Sequence, residues 1–280
     1  MYENFQLISE AHSNMAGYHW KNKDAKCVVC IVHGIGEYAG RYDRVAEHMK
    51  NAGFAVLSMD LPGHGISPGR RGHCAPRAEV REYVDLLLRY AAETYPHAAI
   101  LLYGHSMGGN IVLDYRKQGK ENSLPAGYIV TAPWIQLAKP VTGALYTAVK
   151  LLSKIAPSFG ISSGVSSRDL GHADSVGDYD KDPLVHGKIS ALCAVEGFDI
   201  GARLEMGKLA DNGGAKGTPL LLMHGMEDKV CSIEGSRKVA AGEACDYVEW
   251  PGLYHEIHNG GPDSTGEEVI ERMIEWIQAL

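Results

Sequence analysis

The sequence has few cysteines and no excess of positive charge, and both absences narrow the range of functions. Its 280 residues carry a formal net charge of −7. Phosphate binding needs clustered Lys and Arg, so this charge balance argues against a nucleic-acid partner. Six cysteines are too few for a disulfide framework. Cys27 and Cys30 lie three apart in a predicted strand and point to opposite faces, so we interpret them as core thiols.

Long apolar runs are also missing, since no stretch approaches the roughly 20 apolar residues that span a bilayer. The first residues, MYENFQLISEAHSN, lack a basic start followed by an apolar core, so no secretory signal is predicted. We therefore expect a cytoplasmic protein, and we expect no metal and no cofactor. The sequence does not define the oligomeric state. Apolar residues make up 45% and charged residues 22%, which is globular rather than fibrous or disordered usage.

Short runs that are almost entirely apolar recur along the chain, as is typical of strands buried on both faces of a parallel sheet. They cover residues 27–32, 54–59, 100–103, 128–130 and 220–223, and a last strand is predicted near 246–250. Helix-like segments alternate with them at 42–51, 77–94, 108–118, 232–241 and 267–279. This alternation predicts a doubly wound α/β sheet. Residues 5–10 and 17–21 predict an antiparallel hairpin at the sheet edge.

Residues 134–206 break this rhythm and show no buried-strand signature. A helical pattern covers 140–156, with apolar residues at Val141, Leu145, Val149, Leu152 and Ile155. We interpret 134–206 as an inserted cap that follows the sixth strand and packs over the carboxyl edge of the sheet, where ligands bind in open α/β folds. Residues 1–133 and 207–280 then form the core.

The segment Gly104-His105-Ser106-Met107-Gly108 is a G-x-S-x-G between a buried strand and a helix-like run. This pattern holds a serine on a sharp strand-to-helix turn, with its Oγ exposed and glycines on both sides giving room. The pattern predicts Ser106 as a nucleophile. A glycine-rich turn with a bystander serine is the structural alternative.

A serine hydroxyl needs a base and an orienting carboxylate, in the chain order Ser, acid, His in this kind of fold. Asp228 follows the 220–223 strand and is the predicted acid, with Glu227 as the neighbouring alternative. His255 comes first after the last strand and is the predicted base. His258 is the alternative, with a loop-bracing or substrate-side role if His255 is the base.

A tetrahedral oxyanion needs aimed N–H donors. Met107 follows the nucleophile and should supply one from its backbone. A strand runs into His33-Gly34-Ile35-Gly36, so the backbone N–H of Ile35 is the predicted second donor. His33 is expected to brace this loop. Glu37 and Arg41 either pair to fix the loop, or Glu37 holds a substrate hydroxyl.

Together these motifs resemble the α/β-hydrolase superfamily, and within it the monoacylglycerol lipase and lysophospholipase-like group. The resemblance covers most of the chain and rests on segments 33–37, 60–65, 104–109, 224–228 and 254–255. In the cap, Tyr179 shortly before Asp182-Pro183-Leu184 is similar to the same group. The resemblance implies an α/β-hydrolase fold with a mostly parallel central sheet, flanking helices and a helical cap that lines an acyl channel. It also implies that Tyr179 lies near the glycerol end of a substrate.

The expected activity is hydrolysis of a carboxylic ester through an acyl-enzyme intermediate, with a monoacylglycerol as the leading substrate. A lysophospholipid, or a short-chain or aryl ester, is the alternative within enzymes. A ligand receptor of the same fold is the non-enzyme alternative. Leu145 and Leu152 are expected to wall the acyl channel, and the apolar cap helix is expected to contact a membrane interface transiently.

Overall fold

A computed structural model describes residues 1–171, 176–177 and 179–280. Eight strands form one sheet in the order β1-β2-β4-β3-β5-β6-β9-β10. Strand β2 runs antiparallel to both of its neighbours, and the pairs from β4 to β10 are parallel. The strands are β1 (Glu3–Leu7), β2 (Met15–Trp20), β3 (Cys27–Val32), β4 (Ala55–Met59), β5 (Ala99–His105), β6 (Gly127–Thr131), β9 (Leu220–Gly225) and β10 (Asp246–Trp250). The doubly wound sheet and its edge hairpin, both predicted from the sequence, are confirmed.

Helices connect the strands, and their bounds follow the predicted segments closely. In the core they are α1 (Asp43–Asn51), α2 (Arg77–Thr94), α3 (Met107–Gln118), α7 (Ile233–Gly242) and α8 (Glu267–Gln278). Short 3₁₀ turns lie at Ala39–Tyr42, Tyr179–Lys181 and Ile257–Asn259. Among the helices of the described residues, none is both long and apolar enough to cross a bilayer.

The sheet separates two hydrophobic layers, and alternate residues of each strand enter opposite layers. Along β3, Val28, Cys30 and Val32 pack on one side, with α2 and α3. Cys27, Val29 and Ile31 pack on the other, with α1 and α8. The two cysteines of the C-x-x-C therefore lie on opposite faces as core thiols. Burial on both faces explains why these strands are continuously apolar.

Residues 134–206, which we call the cap segment, hold the other elements. They are helices α4 (Gly143–Ile155), α5 (Ser167–Leu170) and α6 (Ala191–Glu205), and strands β7 (Gly160–Ser162) and β8 (Lys188–Ser190). β7 and β8 pair with each other in a separate antiparallel sheet, which the sequence did not predict because residues 134–206 show no buried-strand signature. The predicted helix at 140–156 is present as α4. The sequence did not predict α6, which packs against α3 and α4.

Candidate active site

Ser106 occupies the turn between β5 and α3, with a backbone φ of 56°. A non-glycine residue at positive φ costs about 1–3 kcal/mol, so its surroundings must hold it there. The Ser106 N–H donates to the Thr131 carbonyl of β6 at 3.0 Å. A Cβ on Gly108 would lie 2.0 Å from the Val32 oxygen, and one on Gly104 would lie 2.3 Å from the Gly108 oxygen. The two glycines are therefore required for the close packing of this turn.

A chain of hydrogen bonds links Ser106, His255 and Asp228. His255 Nδ1 is 2.7 Å from Asp228 Oδ2, and His255 Nε2 is 2.8 Å from Ser106 Oγ. A carboxylate oxygen can only accept, so Nδ1 carries the hydrogen and donates it. Nε2 is then free to accept the serine hydroxyl. The structure thus brings together the three residues that the sequence predicted as nucleophile, base and acid, in the geometry that removes a proton from Ser106.

Burial and charge set the proton affinities of this chain. Burial alone would raise the pKa of Asp228, but the adjacent His255 and His224 lower it well below its usual range. Burial alone would lower the pKa of His255, but the Asp228 carboxylate raises it above its ordinary value of 6.5. Asp228 is therefore an anion at neutral pH, and it stabilises the imidazolium that forms when His255 takes a proton.

The two predicted oxyanion donors lie in the loop after β3 and at the start of α3. His33 Nδ1–H donates to the Gly34 carbonyl at 2.8 Å, and His33 Nε2 accepts the Leu61 N–H at 2.9 Å. His33 is buried and braces the loop in this way. Within the described part of the chain, the Ile35 N–H has no hydrogen-bond acceptor. The Met107 N–H opens helix α3, where the first amides have no partner within the helix. Both amides remain available to a ligand.

Glu37 anchors a buried polar cluster beneath this loop. Its Oε1 accepts the Gly34 N–H at 2.6 Å and the Tyr42 hydroxyl at 2.9 Å. Arg41 Nε lies 3.4 Å from Glu37 Oε2, and Arg41 Nη2 donates to both oxygens of Glu256 at 3.1 Å. Glu37 therefore pairs with Arg41 and fixes the loop, which was one of the two predicted roles.

An apolar cavity of about 280 Å³ reaches Ser106 from the cap segment. Its size is close to the lower end of small-molecule sites, about 300–1,000 Å³. Cap residues form much of its wall: Val141, Leu145, Tyr146, Val149, Ile161, Ile189, Ala194 and Phe198. Leu145 is thus placed as predicted. Leu152 is not among the described residues that line the cavity.

A second, narrower pocket also meets Ser106. It holds only about 10 Å³ and is lined by Glu37, Tyr179, His255 and Glu256, among others. The Arg41 guanidinium lies 4.7 Å from the centre of the Tyr179 ring. The structure therefore brings Glu37 and Tyr179, both predicted to contact substrate, to one polar pocket beside the nucleophile.

The alternatives for acid and base lie outside the hydrogen-bond chain. Glu227 is exposed. His258 is buried and stacks on Tyr42, with ring centres 5.3 Å apart. Burial lowers the pKa of His258 to about 4, so this imidazole is neutral and braces the loop.

Glu256 and His224 also contact the site, and neither was predicted from the sequence as a site residue. Glu256 directly follows the predicted base, and this position is the sequence feature that could have indicated a role for it. His224 lies 3.0 Å from Asp228 in an i, i+4 relation. No cluster of three or more metal-ligating side chains occurs among the residues for which coordinates are described.

Comparisons with known proteins identify the family of this chain. A family model described as serine aminopeptidase, S33, matches residues 23–261. A monoacylglycerol lipase of Mycolicibacterium smegmatis is 32% identical over 91% of this chain and 89% of its own length. An uncharacterized abhydrolase domain-containing protein of Dictyostelium discoideum is 33% identical over 89% of this chain, and the chain spans only 26% of that longer protein.

Among solved structures, the fold is similar to the crystal structure of a monoacylglycerol lipase from Paleococcus ferrophilus. The TM-score is 0.82 at 30% identity, and the match covers 94% of this chain and 97% of that one. The family match and the shared sheet lead to one assignment. The chain belongs to the α/β-hydrolase superfamily, in the family described as serine aminopeptidase, S33.

Proposed function

We propose that this protein is a serine hydrolase that cleaves a monoacylglycerol through an acyl-enzyme intermediate. One observation carries the proposal: the Ser106–His255–Asp228 chain ends in an apolar cavity of about 280 Å³. An acyl chain suits such a wall, because each buried CH₂ contributes about 0.8 kcal/mol. Relatives named as monoacylglycerol lipases support the choice of substrate.

In the first half of the reaction, Ser106 Oγ attacks the ester carbonyl carbon and its proton passes to His255 Nε2. Asp228 stabilises the resulting imidazolium through its bond to Nδ1. The carbonyl oxygen becomes an oxyanion, which accepts hydrogen bonds from the amides of Ile35 and Met107. The C–O bond then breaks, the glycerol oxygen takes the proton from His255, and the acyl group remains on Ser106.

In the second half, a water molecule gives a proton to His255 Nε2 and attacks the acyl carbon. The same two amides hold the second oxyanion. Ser106 leaves with the proton from His255, and the fatty acid is released. Atoms and protons are restored, so the cycle needs no cofactor beyond these residues.

We propose that the second pocket, which at about 10 Å³ has room for about one water-sized group, receives one hydroxyl of the glycerol end. A carboxylate offers about four acceptor positions, so Glu37 can accept a substrate hydroxyl in addition to its internal bonds. Tyr179 closes the same pocket and is held over Arg41. The acyl chain would then extend the other way, along Leu145 and Val149.

The cap segment is proposed as a lid that contacts a lipid surface. Leu145, Leu151, Ile155 and Phe159 are exposed by 50% or more, and they lie on or just after α4. An exposed apolar face beside the mouth of an acyl cavity suits docking on a membrane interface. We also propose the cytoplasm as the compartment, since all six cysteines are free thiols.

The substrate proposal is tested by rates on mono-, di- and triacylglycerols, lysophospholipids, graded p-nitrophenyl esters and an amino-acid arylamide, with Ser106→Ala as the blank. We expect long-chain monoacylglycerols to exceed the other natural lipids by about tenfold or more in kcat/KM, a difference of about 1.4 kcal/mol. A preference for lysophospholipids or for the arylamide would contradict the substrate while leaving a serine hydrolase. No activity on any ester would contradict the proposal as a whole.

The lid proposal is tested by sedimentation with phosphatidylcholine vesicles. Ile155→Asp, at a position 84% exposed, should reduce vesicle binding. Leu124→Asp, at a position 38% exposed on the core, is the matched control and should not. Hydrolysis of a water-soluble acetate ester should be unchanged in both variants. Equal binding by both variants would contradict docking through the cap segment.

A further inference from the structure

The carboxylate of Asp228 has two histidine partners rather than one. His255 Nδ1 lies 2.7 Å from Oδ2, and His224 Nε2 lies 3.0 Å from the same oxygen. The other oxygen, Oδ1, accepts the N–H groups of Val230 at 2.7 Å and Cys231 at 2.9 Å. Both carboxylate oxygens are therefore held: two backbone amides donate to Oδ1, and His255 and His224 both contact Oδ2.

The surroundings of His224 select one tautomer. Its Nε2 faces two acceptors, the Asp228 carboxylate and the Cys231 carbonyl at 3.3 Å, so Nε2 carries the hydrogen. Its Nδ1 lies 2.7 Å from Ser236 Oγ and accepts that hydroxyl. His224 and Ser236 are fully buried, in β9 and α7. The result is an imidazole whose Nε2–H has the Cys231 carbonyl as its hydrogen-bond acceptor and lies beside the Asp228 carboxylate oxygen, 3.0 Å from Nε2.

A second donor at Asp228 Oδ2 lowers the ability of that oxygen to stabilise protonated His255. A hydrogen bond to an anion spreads part of its charge, so less of the charge remains to stabilise the imidazolium. The other groups facing His255 are Glu37 and Glu256, which raise its pKa, and the imidazole of His105, whose ring centre is 4.8 Å away. His258 lies beyond His105, with ring centres 5.0 Å apart. None of these touches Asp228.

Charged neighbours of His224 are few. Besides Asp228, Glu249 on β10 lies within electrostatic range, and it is held by Arg237 at 2.7 Å. The imidazole of His105, at the end of β5, also lies within electrostatic range of His224. Among the described residues, Asp228 is the carboxylate that contacts both the His224 ring and the base.

We infer that His224 is a positioning residue for this reaction: it holds Asp228 against His255 and limits the proton affinity of the base. The inference rests on the proposed function, because it assigns a role through Asp228 to His255. Ser236 supports this arrangement, since its hydroxyl lies 2.7 Å from His224 Nδ1 and holds the ring from the other side.

The test compares His224→Gln with His224→Leu. The Gln amide reaches the position of Nε2 and keeps a donor toward Asp228, whereas Leu removes it. The readout is the rate at which a fluorophosphonate labels Ser106 as a function of pH, which requires no knowledge of the natural substrate. For His224→Leu we expect a rate loss of about tenfold or more, the scale of a hydrogen bond to a charged group. We also expect its acid limb, the fall in labelling rate toward low pH, to move up by about 0.5 pH unit or more.

His224→Gln should keep the limb of the parent protein within about 0.2 unit and recover most of the rate. His19→Leu is the matched control, because His19 is buried on β2 and bonds Tyr95 far from the site. It should lower thermal stability without moving the limb. If His224→Leu does not fold by circular dichroism, His224→Asn replaces it, since its shorter amide faces Ser236 rather than Asp228.

Equal pH limbs for the donor-free variant, the Gln variant and the parent would overturn the inference and leave His224 as a packing residue. A shift of the same size in His224→Gln would also overturn it. Failure of the fluorophosphonate to label Ser106 in the parent protein is a different result, which would refute the proposed function instead.

Discussion

At the scale of single residues, the proposed mechanism requires Ser106, His255 and Asp228 to act as one unit. Ser106→Ala should lower kcat by about 10³-fold or more, His255→Ala should do nearly the same, and Asp228→Asn should cost somewhat less. The measurement is hydrolysis of a p-nitrophenyl ester, with thermal unfolding as the check on folding. A folded Ser106→Ala protein that keeps a tenth of the activity would refute the assignment.

The pH profile depends on His255, which must be neutral to accept the serine proton. Because the Asp228 carboxylate raises the pKa of His255, kcat/KM should fall as pH drops through a midpoint above 6.5. Asp228→Asn removes the charge that stabilises the imidazolium, so its midpoint should move down by about one unit. A rate that stays flat to about pH 5 in a folded protein would contradict a histidine base.

At the scale of elements, helix α4 carries Leu145 and Leu152, which the sequence predicts to have the same role. The structure places them differently. Leu145 lines the cavity next to Ser106, whereas Leu152 is half-buried away from the described lining. Leu145→Lys should therefore lower kcat/KM for long-chain esters more than for acetate esters. Each methylene lost from contact with the wall corresponds to about fourfold.

Leu152→Lys is the matched control, because it makes the same change about two helical turns further along α4. It should leave the long-to-short ratio within about twofold of the parent protein, whatever it does to stability. Equal ratios in both variants would remove the reason for assigning α4 to the acyl wall.

The elements of the core were predictable because burial on both sheet faces leaves an uninterrupted apolar run in each strand. Helix α6 was not predictable, because its close packing weakens the helical pattern in the sequence. A Cβ on Gly197 would lie 2.5 Å from the Trp134 ring, and one on Gly201 would lie 2.4 Å from the Ile135 oxygen. Close contact with the segment after β6 therefore requires glycines inside a helix. Glycine is a poor helix former, and the local sequence does not indicate a helix there.

Some features of the site were likewise predictable from the sequence, and others were not. Ser106, Asp228 and His255 follow strand ends, and chain order is enough to name them. The ion pair of Arg41 with Glu256 joins residues 215 positions apart, so no local pattern indicates it. The contact of His224 with Asp228 depends on how the loop after β9 turns back, which spacing alone does not fix.

At the scale of the whole molecule, the cap segment meets the core at the oxyanion loop. The His186 N–H donates to the Gly36 carbonyl at 2.8 Å, and the Tyr38 hydroxyl donates to Asp182 at 2.9 Å. A Cβ on Gly36, whose φ is 77°, would lie 2.2 Å from the His186 oxygen. These contacts join the cap segment to the loop that carries Ile35, so we expect any movement of the cap segment to shift this proposed oxyanion donor.

His258, which is 2% exposed, contributes to the loss of stability of the whole fold in acid. Burial lowers its pKa from 6.5 to about 4, so the unfolded chain takes up a proton at higher pH than the folded one. This contribution to the free energy of unfolding is complete above pH 6.5 and is lost as pH falls toward 4. The full loss is on the order of 3 kcal/mol, and about 1 kcal/mol of it should be gone by about pH 5.5.

The measurement is urea unfolding at about pH 7.5 and about pH 5.5, on the parent protein and on His258→Phe. Phenylalanine keeps a ring against Tyr42 but takes up no proton. Whatever its stability at the higher pH, the variant should lose about 1 kcal/mol less than the parent between the two conditions, because one buried imidazole no longer opposes folding in acid. Equal losses in the two proteins would mean that other groups, such as His19 with its pKa lowered to about 4, govern the acid response instead.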